Sequence, residues 1–238
     1  MLNLHPLFRF FNHNRPIISS NKSERPDAWK TVEYKTYPRL PKIKLPKPDL
    51  DDTTLKDAIL RRKSERNFSD KPFSLAQLST LLFYSAGIIH SKADTNMNRR
   101  AYPSGGARYP IEIYPIVLNV EGVDSGVYHY NCLDHGLEYL LKTENDEITK
   151  SLNYKFIKEA GVVFVFTMVP ERSAVKYGNF SFKLMLIESG HIAENFYLIN
   201  SAMGLKCCAI GGARDEVHEL LDIDGTSEIA FYILAAGT

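Results

Sequence analysis

"FKLMLIESGHIAENFYLINSAMG", Phe182 to Gly204, reads as one long helix. It contains no proline, and Gly204 offers the left-handed residue on which helices commonly stop. Its apolar residues fall on more than one face, so the helix is expected to be buried on several sides. Strand-length apolar runs stand before and after it. "GVVFVFTM" (161–168) is continuously apolar and reads as a central strand. "KCCAI" (206–210) and "AFYILAAG" (230–237) are two further short strands, with "DEVHELL" (215–221) as a helix between them. Upstream, "IEIYPIVLNV" (111–120), "GVYHY" (126–130) and "LEYLL" (137–141) are strands, and "EITKSLNYKFIKEA" (147–160) is an amphipathic helix. "TTLKDAILRR" (53–62) is a helix capped by Thr53 or Thr54. In "SLAQLSTLLFYSAG" (74–87), Ser74 and Gln77 have capping-box spacing and Gly87 ends the helix. Interleaved helices and strands, with strand pairs joined by short turns, predict an α+β domain.

Residues 1–50 differ from this pattern and read as an extended arm preceding a domain at 51–238. Prolines at 26, 38, 41, 46 and 48 fix φ and remove donors. Trp29, Tyr34, Tyr37, Ile43 and Leu45 give the arm apolar anchors for wrapping its own domain or a partner subunit. The alternative is an anion- or RNA-binding arm. A net charge of +1 over 238 residues argues against non-specific nucleic-acid binding. No apolar run reaches membrane-spanning length, and "MLNLHPLFRFF" makes a poor signal peptide. The three cysteines, Cys132, Cys207 and Cys208, show no CxxC spacing and leave one thiol unmatched, which fits a reduced, cytoplasmic setting. No metal site is expected, because the seven histidines lack ligand spacing. His129 and His135 are read as flanking the turn of a surface hairpin.

Four short stretches carry chemistry. In "RRKSERNF", Arg62, Ser64 and Arg66 sit where a helix gives way to irregular chain. Two guanidinium forks and a hydroxyl suit a phosphate, although basic helix ends also complement the helix dipole. In "RRAYPSGGARYPIEIY", Pro103, Ser104, Gly105 and Gly106 form a tight loop that exposes backbone N–H groups, or a plain turn before a strand. It is not a P-loop, and no G-x-G-x-x-G follows a strand, so a Rossmann site is not supported. "GLKCCAIGGARDE" offers Gly211 and Gly212 after a short strand, and "AVKYGNF" places Lys176 beside Tyr177, two groups able to move a proton.

Taken in order, "RRKSERNF", "YPSGGARYPIEIYPI", "GVYHY", "KYG", "IESGHIAENFYLINSAMGL" and "AIGGARDE" resemble the nitroreductase-like FMN flavoprotein superfamily. Within it they resemble the SagB-type dehydrogenases, the oxidase components of thiazole/oxazole peptide-modifying systems. "YKTYPRLPKIKLP" is similar to the segment preceding the arginine motif in that subfamily, so the resemblance runs from about Ala28 to the last residue.

The resemblance implies a mixed, mostly antiparallel central sheet flanked by helices. It also implies a homodimer built on the long helix, with FMN at the subunit interface. Arg62, Ser64 and Arg66 would hold the FMN phosphate. Pro103, Ser104, Gly105 and Gly106 would line the ribityl chain and ring, and Gly211 and Gly212 would form the turn facing flavin N5. Gly190 would permit close helix packing, while His191 and Asn195 stay open between site roles and core hydrogen bonding. The implied reaction oxidises a thiazoline or oxazoline in a peptide to the azole. Flavin N5 takes a hydride, and Lys176 with Tyr177 serves as base or proton relay. The implied partners are a peptide or small-molecule substrate and a cyclodehydratase complex. Phe180 and Lys183 stand where the subfamily often carries two arginines, which bears on specificity. The alternatives on the same fold are an NAD(P)H-dependent nitro or quinone reductase and a non-catalytic flavin-binding scaffold.

Overall fold

A computed structural model of the protein describes residues 26–94, 96, 98–143, 145–152, 154–213 and 215–238. The N-terminal stretch weighed above as a signal peptide lies outside the described residues. A seven-stranded sheet forms the centre: β1 (Lys42–Lys44), β4 (Ile111–Val117), β5 (Gly126–Asn131), β6 (Gly136–Leu141), β7 (Val162–Met168), β8 (Lys206–Ile210) and β9 (Ile229–Gly237), in the order β1-β6-β5-β4-β7-β9-β8. Its pairings are antiparallel throughout. β2 (Ile88–His90) and β3 (Arg99–Arg100) form a separate ribbon.

β7 lies between β4 and β9, and all seven of its residues are buried. Val162, Phe164, Phe166 and Met168 face one core, and Val163 and Val165 face another. The two-residue alternation therefore serves two apolar layers rather than one layer and solvent. The first layer contains α2 (Leu75–Ala86) and the long helix α5 (Ser181–Ala202); the second contains α3 (Asn145–Leu152) and α6 (Asp215–Leu221). Phe196 of α5 packs on Phe164 and Phe166 at ring-centroid distances of 4.8 and 5.5 Å. Burying an aromatic side chain of this size contributes roughly 1.5–3 kcal/mol.

The local signals operate as their chemistry requires. Thr54 caps α1 (Leu55–Arg61) by accepting from Asp57 N, and Ser74 with Gln77 closes a capping box on α2. Gly87 ends α2 in an extended conformation; a Cβ there would lie 2.6 Å from the Phe83 carbonyl oxygen. The helix expected over 147–160 is divided into α3 and a 3-10 turn at Lys155–Glu159. A helix not anticipated from sequence, α4 (Pro170–Tyr177), begins on proline and is followed by Gly178 at φ 51°. That proline-first, glycine-after pattern is itself a helix signature.

α5 departs from the expectation of burial on several sides. Met185, Glu188, Ile192, Ala193 and Phe196 form its buried stripe. Phe182, Leu186, Ile187, Gly190 and His191 form an exposed one, mostly apolar. The β5–β6 hairpin also departs from its expected surface position. His129 is fully buried, with Nδ1 2.9 Å from Glu138 Oε2 and Nε2 3.2 Å from Glu112 Oε2. Burial opposes a charge on His129, but the two carboxylates raise its pKa.

Candidate functional site

The arginine segment runs beside edge strand β8. Glu65 N donates to the Cys207 carbonyl at 2.9 Å, which lays the segment along the strand. Tyr197 of α5 joins the two: its hydroxyl lies 3.0 Å from Ser64 Oγ and accepts from Ala209 N at 2.7 Å. The Arg62 guanidinium lies over the Tyr197 ring at 5.5 Å, and that of Arg66 lies over Phe156 at 6.0 Å. Lys63 pairs with Glu65, whereas neither Arg62 nor Arg66 meets a carboxylate among the described residues. Two unneutralised guanidinium groups and an exposed hydroxyl on one segment suit a phosphate. β8 leads into Gly211 and Gly212, which line a cavity of about 450 Å³ with Tyr154, Ala213 and Val217. A Cβ at either glycine would meet nothing within 4 Å, so packing inside this chain does not require them.

The second group gathers around the Ser104–Gly106 loop. Gly105–Ala107 form a 3-10 turn in which Gly106 sits at φ 63°. A Cβ on Gly106 would lie 2.5 Å from Tyr177 Oη and 2.6 Å from Lys176 Nζ. The loop and the Lys176–Tyr177 pair, 70 residues apart in the chain, are thus in contact. Their geometry is fixed by Arg172 and Arg108. Arg172 Nη1 donates to the Tyr109 carbonyl at 3.1 Å and pairs with Glu112 Oε1 at 2.5 Å. Burial alone would raise the Glu112 carboxyl, but Arg172 and His129 hold it well below the usual carboxylate range. Arg108 donates to the carbonyls of Arg172, Trp29 and Thr31. Trp29 Nε1 donates to Val175 O at 2.9 Å, and the Lys176 ammonium lies 5.8 Å from the Trp29 ring centroid. The proline-rich segment therefore reaches the helix that carries Lys176.

Beneath the loop, Ser104 Oγ donates to Glu188 Oε2 at 2.6 Å and accepts from Tyr109 N at 2.9 Å. Glu188 is 2% exposed, and burial lifts its carboxyl to about 7 against the opposing pull of Ser104 and Arg100. Sequence reasoning missed Glu188 and Arg172, and it named Trp29 only as an apolar anchor of the arm. The signal for Glu188 was an acid in helical register with Met185 and Ile192.

The remaining candidates separate. Asn195 Nδ2 donates to Ser85 O and Ala101 O, joining α5 to the end of α2 and to the approach of the loop. His191 lies on the exposed face. Cys207 and Cys208 are buried free thiols with raised pKa values, because burial disfavours the thiolate. Among the described residues no cluster of His, Cys, Asp and Glu is placed to hold a metal, and no helix is long and apolar enough to cross a membrane.

The two groups touch α5 at different levels. The loop meets Leu184 and Glu188, and the arginine segment meets Tyr197. At 1.5 Å per residue, these levels are separated by roughly 15–20 Å along the helix.

The chain is 33% identical over 165 residues to a Methanocaldococcus jannaschii protein described as a nitroreductase, covering 68% of this chain and 81% of that one. It is 31% identical over 167 residues to the microcin B17-processing protein McbC of Escherichia coli, covering 66% of this chain and 60% of McbC. Among solved structures, an Anabaena variabilis protein described as a nitroreductase matches 97% of this chain and 47% of its own, with a TM-score of 0.76 at 21% identity. The E. coli microcin synthetase McbBCD complex with truncated pro-MccB17 bound matches 98% and 91%, with a TM-score of 0.65 at 21% identity. A Desulfovibrio desulfuricans structure containing FMN matches 79% and 87%, with a TM-score of 0.53 at 15% identity. The model of the nitroreductase family matches residues 59–238, which hold the arginine segment, the Ser104–Gly106 loop, Lys176–Tyr177 and α5, and the chain belongs to that family.

Proposed function

We propose that this chain is an FMN-dependent oxidoreductase of SagB type, acting as a homodimer with FMN at the subunit interface and oxidising azoline rings in a peptide to azoles. The observation that carries this reading is the contact of Gly106 with both Lys176 and Tyr177. It puts a loop suited to a flat cofactor beside an amine and a phenol suited to proton transfer. The residues fit FMN. Arg62, Ser64 and Arg66 would hold its phosphate, and Ser104, Gly105 and Gly106 would approach its ring and ribityl chain, with Gly211 and Gly212 opposite. FMN, when bound, supplies the acceptor for the hydride that leaves the azoline. Oxidation to the azole also releases a proton, and Lys176 and Tyr177 are the groups that take it. Arg172, Arg108 and Trp29 hold α4 so that both side chains stay against the loop.

The separation along α5 supports the dimer. A two-fold axis crossing the helix near Ile192 would set one copy's Glu188 level opposite the partner's Tyr197 level, joining the halves at two equivalent sites. The similarity to McbC and the McbBCD complex supports a peptide substrate and work beside a cyclodehydratase.

The test begins with the visible spectrum of the purified protein and identification of any released chromophore. About one FMN per chain is expected. Under anaerobic conditions an azoline-containing peptide should then bleach the flavin and yield azole, and Lys176→Ala should abolish that step. Rapid bleaching by NADPH without azoline turnover would instead assign a nitro or quinone reductase. A colourless protein that refuses added FMN would leave a scaffold role.

A further inference from the structure

Glu188 is a buried acid that the proposed chemistry does not use. It sits on α5, 2% exposed, among buried residues that include the apolar Met185, Ile192, Ala193 and Phe196 and the adjacent Ser189. An acid in such a place costs stability unless it is hydrogen-bonded or paired. One carboxyl oxygen accepts from Ser104, while Oε1 has no hydrogen-bond partner among the described residues. Ser104 is held from two sides, since its hydroxyl also accepts from Tyr109 N. Ser104 O accepts from Ala107 N at 3.0 Å, which closes the turn containing Gly106. The connection therefore runs from the carboxyl through one hydroxyl to the turn, and from the turn to Lys176 and Tyr177.

The surroundings of the carboxyl are defined on each side. The buried Arg100 guanidinium of β3 and the Tyr102 hydroxyl stand near it, and they are linked to each other at 3.2 Å. The loop supplies Ser104 and the backbone of Gly105. α4 supplies Lys176 and Tyr177 on the far side of the loop.

We propose that Glu188 is a positioning residue of the site: through Ser104 it holds the Ser104–Gly106 turn against Lys176 and Tyr177, and so sets how the loop meets the cofactor. This rests on the FMN reading for its consequence, but the link between carboxyl and turn stands without a cofactor. A carboxyl lifted to about 7 by burial makes the link sensitive to pH in the neutral range.

The test compares wild type, Glu188→Gln, Glu188→Ala and Ser104→Ala by two readouts. Hydrogen exchange of the 104–107 amides is followed in flavin-free protein from pH 6 to 8, corrected for intrinsic rates. FMN affinity is measured by spectral titration. Losing a hydrogen bond to a carboxyl should speed exchange and weaken FMN by about tenfold or more in Glu188→Ala and Ser104→Ala. Glu188→Gln keeps an acceptor for Ser104. It should stay within about threefold of wild type at pH 6 and lose the wild-type pH dependence of exchange. Folded Glu188→Ala with unchanged exchange and affinity would overturn the proposal. If Glu188→Ala does not fold, Ser104→Ala decides in the same way from the other end of the bond. If wild-type protein takes up no FMN, the cofactor reading fails alone, and the exchange comparison still decides the role of Glu188.

Discussion

Replacing Glu188 with glutamine should make the protein more stable at pH 8 than at pH 5, relative to wild type. Burial lifts the carboxyl from an ordinary value of 4.5 to about 7. Between those values the folded state binds a proton that the unfolded state has lost. Wild-type stability therefore falls as pH rises from about 4.5 to about 7 and levels off above. At 1.36 kcal/mol per pH unit, the loss between pH 5 and pH 8 is on the order of 2–3 kcal/mol. Glutamine keeps the shape and does not ionise, so its stability should lack this loss. The assay is chemical denaturation of both proteins at matched concentration, at pH 5, 6, 7 and 8, without flavin. Other titrating groups contribute to both curves and cancel in the difference. A gap that widens by about 2–3 kcal/mol in favour of Glu188→Gln supports the reasoning. Parallel curves would refute it, because they would mean that the carboxyl ionises as freely in the folded protein as in water.

Gly106→Ala should cost about 1–3 kcal/mol in chemical denaturation, since φ is 63° and the new methyl meets Tyr177 Oη and Lys176 Nζ. It should also abolish proton-dependent turnover at unchanged far-UV circular dichroism. Arg172→Met should lose about 3–5 kcal/mol by the same assay, because it leaves Glu112 buried beside His129 without its guanidinium partner. Arg62→Ala and Arg66→Ala should each raise the FMN Kd roughly tenfold in a titration at low salt, and the difference from wild type should shrink as salt is added.

The sequence was most legible where a local rule governs local structure. Caps, strand alternation and the long helix were readable because each depends on neighbours within a few residues. The mostly antiparallel character of the sheet came with the resemblance, and its strand order was not derivable from those signals. α4 was overlooked because it is polar and only eight residues long, although Pro170 and Gly178 bracketed it. His129 was misplaced because its burial depends on Glu112 and Glu138 arriving from two other strands. Among the site candidates, the arginine segment and the glycine loops were visible as motifs. Their supports, Trp29, Arg172 and Glu188, act through contacts spanning 63 to 146 residues of chain, which spacing alone cannot express.

The expectation that α5 is buried on several sides fails within this chain, and the proposed dimer would meet it. Phe182, Leu186 and Ile187 remain 38%, 43% and 47% exposed on a face that also holds Gly190, where a Cβ would meet nothing within 4 Å. A glycine in mid-helix costs about 1 kcal/mol against alanine, and nothing inside this chain uses its smallness. Covering the three side chains would contribute roughly 2–3 kcal/mol per copy. The same face begins at the level of the loop and runs toward that of the arginine segment. A partner helix packed antiparallel across Gly190 would bury the apolar stripe, use the glycine and unite the two halves of the site in one geometry. In the proposed dimer, the apolar periodicity of α5 would be met by the partner helix, and the two halves of the site would come together along its length.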